Sequence, residues 1–328
     1  MIIPVDLGLA FTGTPSGNTV PGWDEPQPYT PKTDDGYIPP AWLADAIMTF
    51  RQRDPLWVFG PTGCGKTAGI KFIASRLNWP VYEITAHSRL EFPELCGSYH
   101  VEDGNMVWHD GPLVSAMRDG GVFLLNEGSL LEPSTAAGLN SILDGSPLFV
   151  PEINEYVMPH SEFRFVVTDN SNGSGDETGL YQGILRQNIA LTSRFTFVKA
   201  DYLNPDEEVS ILAAKVPGLP DEIAKKMVEL ANLVRDAFIG NADRDSDTAQ
   251  TLSMTMSPRD LLRWGRYVLA YEFLRQQGQD VVAYAFDRAF AFRADRPTQQ
   301  TLHELLQRVF GSAPRQKKRI HTTGVASS

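Results

Sequence analysis

The chain has 328 residues, 42% of them hydrophobic and 21% charged, and a formal net charge of −11. This length exceeds one small core and suits two packed domains of a soluble globular protein. The acidity argues against general DNA or RNA binding as the main task, because phosphate attraction needs a positive field. The two cysteines, Cys64 and Cys96, exclude a disulfide framework or a metal quartet and point to a reducing cytoplasm.

Met1–Gly13 is mildly apolar but contains Asp6 and has no basic residues ahead of its apolar stretch, so it does not read as a signal peptide. No later apolar run is long enough to span a bilayer. Residues 1–36 are rich in Pro, Gly, Thr and Asp and lack helical or strand periodicity. They read as an extended arm whose Phe11, Trp23 and Tyr29 can dock on a neighbour. Order is expected from Tyr37, with a helix over Ala41–Arg51. Leu56–Phe59 is a short apolar run ending in glycine and predicts a buried strand. A helix follows from Lys66 to about Leu77. Further strands are expected at Pro80–Ile84, Gly121–Leu125, Phe163–Thr168 and Thr196–Val198. Strands alternate with helices over residues 56–200, which predicts an α/β core with a parallel sheet between helices. After Asp201 the spacing turns helical, at Pro205–Val216, Asp221–Phe238, Ser257–Gln276 and Val281–Phe290. Gly240–Thr255 is polar and reads as a loop. The expected division is an arm at 1–36, a core at 37–200, a helical domain at 201–310 and a basic flexible tail at 311–328.

Between the first strand and its helix lies Gly60-Pro61-Thr62-Gly63-Cys64-Gly65-Lys66-Thr67, which fits G-x-x-x-x-G-K-[ST]. Its glycines let backbone N–H groups curl around phosphate oxygens, and the helix N-terminus adds positive potential. Lys66 is expected to reach the β- and γ-phosphates of ATP, and Thr67 to offer a hydroxyl to Mg2+. Cys64 reads as a loop residue without redox function.

Val122–Leu125 leads into Asn126-Glu127. ATPases with this loop place an acidic pair at such a strand end; the first residue assists Mg2+ and the second polarises the attacking water. Asn126 stands where Asp is usual. It keeps an oxygen acceptor but loses the charge, which favours lower Mg2+ affinity or turnover. Glu127 is the candidate general base.

The order of P-loop, hairpin insert, strand-Asn-Glu, second hairpin, Thr-Asp-Asn, Ser-Arg-Phe and Ser-Pro-Arg resembles AAA+ ATPases of the MoxR branch. More narrowly it resembles the ATPase subunits of aerobic cobalt chelatases (CobS type). Arg76–Pro80, Thr178–Gly183, Ala213–Val216 and Met256–Arg259 carry that likeness, which covers about residues 37–290. It implies a P-loop AAA+ core with a smaller all-helical lid. It also implies that Asn170 is a sensor orienting water near the γ-phosphate, and that Arg194 is an arginine finger reaching across a subunit boundary, with Arg186 as a second candidate. Arg259 would be a lid sensor touching the γ-phosphate. The inserts Leu95–Gly111, alternating about Asp103-Gly104, and Pro147–Phe163 would be hairpins facing a pore or partner.

The resemblance further implies a homo-oligomeric, hexameric ring, a companion with a von Willebrand-type domain, and a client enzyme. His87, His100, His109 and His160 lack metal-ligand spacing, so metal insertion would not occur on this chain. Three other readings remain at this stage: an activase for another metalloenzyme, as in the NorQ and CbbQ relatives; a nucleotide-dependent scaffold with weak hydrolysis, which Asn126 favours; and a nucleic-acid motor, which the charge disfavours.

Overall fold

The computed structural model describes residues 1–175, 185–238 and 252–311. In chain order the first unit comprises β1 (Ile2–Asp6), α1 (Leu7–Thr12), β2 (Thr19–Trp23), α2 (Leu43–Gln52), β3 (Leu56–Phe59), α3 (Lys66–Arg76), β4 (Val81–Thr85), α4 (Phe92–Cys96), β5 (Gly97–Glu102) and β6 (Asn105–Asp110). It continues with α5 (Pro112–Asp119), β7 (Val122–Asn126), α6 (Pro133–Gly138), α7 (Asn140–Leu143), β8 (Leu148–Val150), β9 (Glu155–Val157), β10 (Arg164–Asp169), α8 (Ile189–Thr192) and β11 (Thr196–Lys199). The second holds α9 (Pro205–Lys215), α10 (Asp221–Asp236), α11 (Pro258–Ala270), α12 (Val281–Ala289) and α13 (Arg296–Phe310). The chain divides into compact units at Asn204/Pro205.

The first unit is built on a five-stranded sheet of order β11-β3-β10-β7-β4, and every pairing in it is parallel. All residues of β7 and β10 are buried, as befits central strands covered on both faces. One face packs Phe123, Leu125, Phe165 and Val167 against Leu113, Met117 and Leu139. The other packs Val122, Leu124 and Val166 against Phe50, Ile70, Ile73 and Trp79. Among its described residues the second unit is built of helices packed around Met227, Trp264, Phe286, Phe290 and Leu302. Within it, Glu208 makes a two-point ion pair with Arg235 at 2.8 and 2.9 Å, both residues buried. Such a pair needs both partners, since removing one strands a charge in the core.

Residues 1–36 depart from the extended arm expected of them. β1 and β2 pair antiparallel in register from Ile2↔Trp23 to Asp6↔Thr19, and the pair docks on the chain's own core. Trp23 N–H donates to Leu77 O at 3.0 Å. The indole of Trp79 donates to Pro21 O at 3.1 Å, and Asn78 Nδ2 donates to Trp23 O at 2.9 Å. Phe11 packs on Phe72 and Tyr29 on Tyr82. The three aromatics therefore pack within this chain. Proline and glycine masked the strands: Pro4 faces Pro21, so the residues lacking N–H sit at one pair of the ladder and the other pairs are spared.

The expected helix at Ala41–Arg51 forms at Leu43–Gln52, and those from Pro205 to Phe290 form at positions close to the expected ones. α13 lies beyond the helices expected. The Thr178–Gly183 stretch, most of the Gly240–Thr255 loop and nearly all of the basic tail fall outside the described residues.

Candidate functional site

Parallel strands bring their carboxyl ends to one edge of the sheet, and the loops leaving that edge form the crevice where ligands bind in open α/β folds. Here β10 sits between β3 and β7, with Asp169 opposite Phe59 and Thr168 opposite Asn126. The residues following these strand ends are therefore neighbours although they are 43 to 110 positions apart in sequence: the Gly60 loop after β3, Glu127 after β7 and Asn170 after β10.

Gly60–Thr67 runs from β3 into α3. At Gly60 a Cβ would collide with the carbonyl oxygen of Ala200. Gly65 caps α3 in the left-handed region, φ 89°, where a side chain is strained. Lys66 is buried, and its Nζ donates to Gly60 O and Pro61 O at 2.9 Å and to Asn170 Oδ1 at 3.0 Å. Burial pulls its pKa below the ordinary lysine value, opposed by the nearby carboxylates of Glu127 and Asp169. Cys64 is buried, and burial pushes its thiol pKa up, so it is held as the unreactive thiol. Tyr202 OH donates to Thr62 O at 3.1 Å.

Asn170 joins the two sides of the crevice, since its Nδ2 donates to Glu127 Oε2 at 3.1 Å. Burial, and then the like charge of Asp169, raise the Glu127 pKa above the usual carboxylate value, with Lys66 acting against them. Glu127 itself sits in the left-handed region, φ 55° and ψ 45°. That conformation costs a non-glycine residue on the order of 1 kcal/mol. It is held by the Glu127 N–H bond to Thr168 O at 2.7 Å, and by Asp169, whose carboxylate accepts from both the hydroxyl and the N–H of Ser129.

Asn126 Oδ1 accepts from the hydroxyls of Thr67 and Thr168, each at 2.7 Å, and its Nδ2 donates to Glu83 Oε1 at 2.7 Å. Thr67, Asn126 and Thr168 thus gather oxygen atoms at one point. An all-oxygen set suits a hard cation such as Mg2+, which takes one or two protein oxygens and completes its shell with phosphate and water. Among the described residues no group of three His, Cys, Asp or Glu side chains could hold a metal by itself.

Arg194 makes a two-point pair with Asp144, Nε to Oδ1 and Nη2 to Oδ2, both at 2.8 Å, and its Nη1 donates to Ala190 O. Arg186 is exposed. Arg259 is exposed at the second position of α11, in the second unit, beside the reciprocal cap formed by Ser257 and Asp260. Both expected hairpins form. β5 and β6 turn through Asp103 (φ 49°) and Gly104 (φ 80°), the two positive φ values of a tight Asp-Gly turn. β8 and β9 form the second hairpin, and Tyr99 OH on the first donates to Glu152 O on the second at 2.9 Å. Val101, Met106, Tyr156 and Met158 are exposed on them.

Sequence reasoning missed Glu83, Thr168 and Asp169. Thr168 and Asp169 directly precede Asn170 at the polar end of β10, but their burial beside the strand ends is set by the sheet and not by their spacing. Glu83 is an acidic residue in an apolar strand two positions before its end; only the strand order reveals that it faces Asn126.

Residues 55–186 match the AAA domain (dynein-related subfamily), and residues 208–309 match the CbbQ/NirQ/NorQ C-terminal domain. The aerobic cobaltochelatase subunit CobS of Sinorhizobium sp is 31% identical over 303 residues, covering 89% of this chain and 86% of that protein. The denitrification regulatory protein NirQ of Pseudomonas aeruginosa is 29% identical over 222 residues, 65% of this chain and 82% of that protein. Midasin of Dictyostelium discoideum is 30% identical over 241 residues, 73% of this chain but 4% of that much longer protein.

Proposed function

The chain belongs to the MoxR-type AAA+ ATPases, with the CbbQ/NirQ/NorQ C-terminal domain, and from that membership we propose that it is an ATP-hydrolysing, ring-forming motor that remodels or activates a partner protein. The observation that carries this reading is the continuous link Lys66–Asn170–Glu127, a phosphate-seeking cation, an amide and a carboxylate joined at 3.0 and 3.1 Å. The reaction is ATP + H2O → ADP + phosphate. Lys66 exchanges the loop carbonyls for phosphate oxygens, and the N–H groups of Gly60–Thr67 cradle the rest. Asn170 orients the attacking water, and Glu127 accepts its proton. Thr67 and Asn126 are the residues that would hold Mg2+, which neutralises phosphate charge when it is bound with ATP. Arg194 stabilises transition-state charge in the neighbouring subunit, exchanging Asp144 for phosphate, and Arg259 reports nucleotide to the helical unit, acting as a lid.

A trans-acting arginine requires an assembly, and a hexamer is the ring proposed. The exposed apolar residues of the two hairpins are the surface offered to a client. Relatives named as a cobaltochelatase subunit and a denitrification regulatory protein favour a metalloenzyme client. A companion with a von Willebrand-type domain and a cytoplasmic setting complete the proposal.

Light scattering with ATP and a subunit-mixing assay test it. Wild type is expected to assemble beyond a dimer, and adding Arg194→Ala subunits to lower ATPase activity more than dilution does. A monomer in ATP whose Arg194→Ala variant hydrolyses like wild type would remove the ring. The uncharged Asn126 favours a second reading, a nucleotide-gated scaffold. It predicts assembly and partner binding with hydrolysis no faster than in Glu127→Gln.

A further inference from the structure

Asn126 sits where a motor of this design normally carries a carboxylate, yet it is not an isolated polar side chain. Its Nδ2 is 2.7 Å from Glu83 Oε1. The second oxygen of Glu83 pairs with Lys71 Nζ. Lys71 lies one helical turn after Thr67, on the same side of α3, and Thr67 closes the circuit through its 2.7 Å bond to Asn126 Oδ1. The four side chains Thr67, Asn126, Glu83 and Lys71 thus tie α3, β7 and β4 together at the phosphate end of the sheet.

Hydrogen-bond chemistry fixes the direction of the amide. An ionised carboxylate only accepts, whereas the hydroxyls of Thr67 and Thr168 can donate. With Glu83 facing it, the NH2 of Asn126 must point to β4, and its oxygen must point to Thr67. Glu83 is only about one-third exposed, so its charge is incompletely screened. We propose that Glu83 is a positioning residue for the cation-bearing side of the nucleotide site. It orients the Asn126 carbonyl toward Thr67 and brings, from β4, a carboxylate to the strand end where β7 has none. The proposal rests on the ATP-binding reading above.

The arrangement makes Asn126 and Glu83 interdependent. An Asp at 126 would set a second carboxylate within hydrogen-bond distance of Glu83 with no proton between them. Asn126→Asp, the change toward the usual residue, therefore harms the site as long as Glu83 remains. Glu83→Gln then relieves it, because a Gln amide can donate to the new carboxylate.

Calorimetric titration with ATP, in Mg2+ and in EDTA, tests this on full-length wild type, Glu83→Gln, Asn126→Asp, the double variant and Lys66→Ala. Glu83→Gln and Asn126→Asp are each expected to lose about tenfold or more of the affinity gained from Mg2+, with the EDTA affinity unchanged. The double variant is expected to recover most of that loss, so that the two changes are strongly non-additive. Additive losses, a silent Glu83→Gln, or tighter Mg2+-dependent binding by Asn126→Asp alone would overturn the role of Glu83. If those results came with normal wild-type binding and loss of binding in Lys66→Ala, the ATP site would stand and only this inference would fall. Absence of ATP binding by wild type would overturn both.

Discussion

Asn170 holds Lys66 with its carbonyl oxygen at 3.0 Å and Glu127 with its amide nitrogen at 3.1 Å. Neither bond can be kept by a shorter apolar side chain. Asn170→Ala is expected to lower kcat by about 10²-fold or more, the scale of losing one aligned polar group near developing charge, while ATP affinity changes by a few-fold. Parallel steady-state phosphate release and ATP titration would check this, and unchanged kcat would show that Asn170 is structural only. At this scale the sequence was informative wherever chemistry follows from local spacing. Gly60–Thr67 and Asn126-Glu127 could be read because a phosphate loop and a strand-end polar pair are contiguous patterns. Glu83, Thr168 and Asp169 were not legible as site residues, because their roles arise from strand neighbours. The order β3-β10-β7-β4 is what places them, and no spacing in the chain encodes it. The pairing of Arg194 with Asp144, fifty residues away, has the same origin.

At the scale of elements, the N-terminal strand pair is the largest difference from expectation, and its stability has a pH signature. Asp6 caps α1 through Leu9 N–H at 3.0 Å and also accepts from Ser16 N–H at 3.0 Å and Gly17 N–H at 2.7 Å. These donors, the Ser16 N–H foremost, hold its pKa down from 3.8 to about 2. A depressed carboxylate pKa contributes stability that is complete above the unfolded value and is lost as pH falls through the folded one. The strand pair should therefore persist at pH 4 and loosen only toward pH 2. Amide chemical shifts of Leu9, Ser16 and Gly17 are expected to titrate with a midpoint near 2, and a midpoint near 4 would mean that the cap does not form. α13 carried a readable start that went unused: Asp295 caps it and Pro297 lies in its first turn, the standard N-terminal pairing of a capping side chain and proline. Leu302, Leu306 and Val309 give it a buried stripe at helical spacing.

At the scale of the whole molecule, two compact units and a parallel sheet followed from alternating strands and helices and then helices alone, because those periodicities extend over long stretches. Composition contributed less: a net charge of −11 limits the class of partner and says nothing about which client is bound. The claim on which the proposed motor depends is that the crevice hydrolyses ATP despite the uncharged Asn126. The most direct measurement is steady-state phosphate release at saturating ATP and Mg2+ by wild type and Glu127→Gln, each shown to bind ATP. Wild type is expected to exceed Glu127→Gln by about 10²-fold or more, the scale of a positioned general base. Equal rates with equal ATP binding would contradict hydrolysis by Glu127 and leave a nucleotide-binding scaffold in place of a motor.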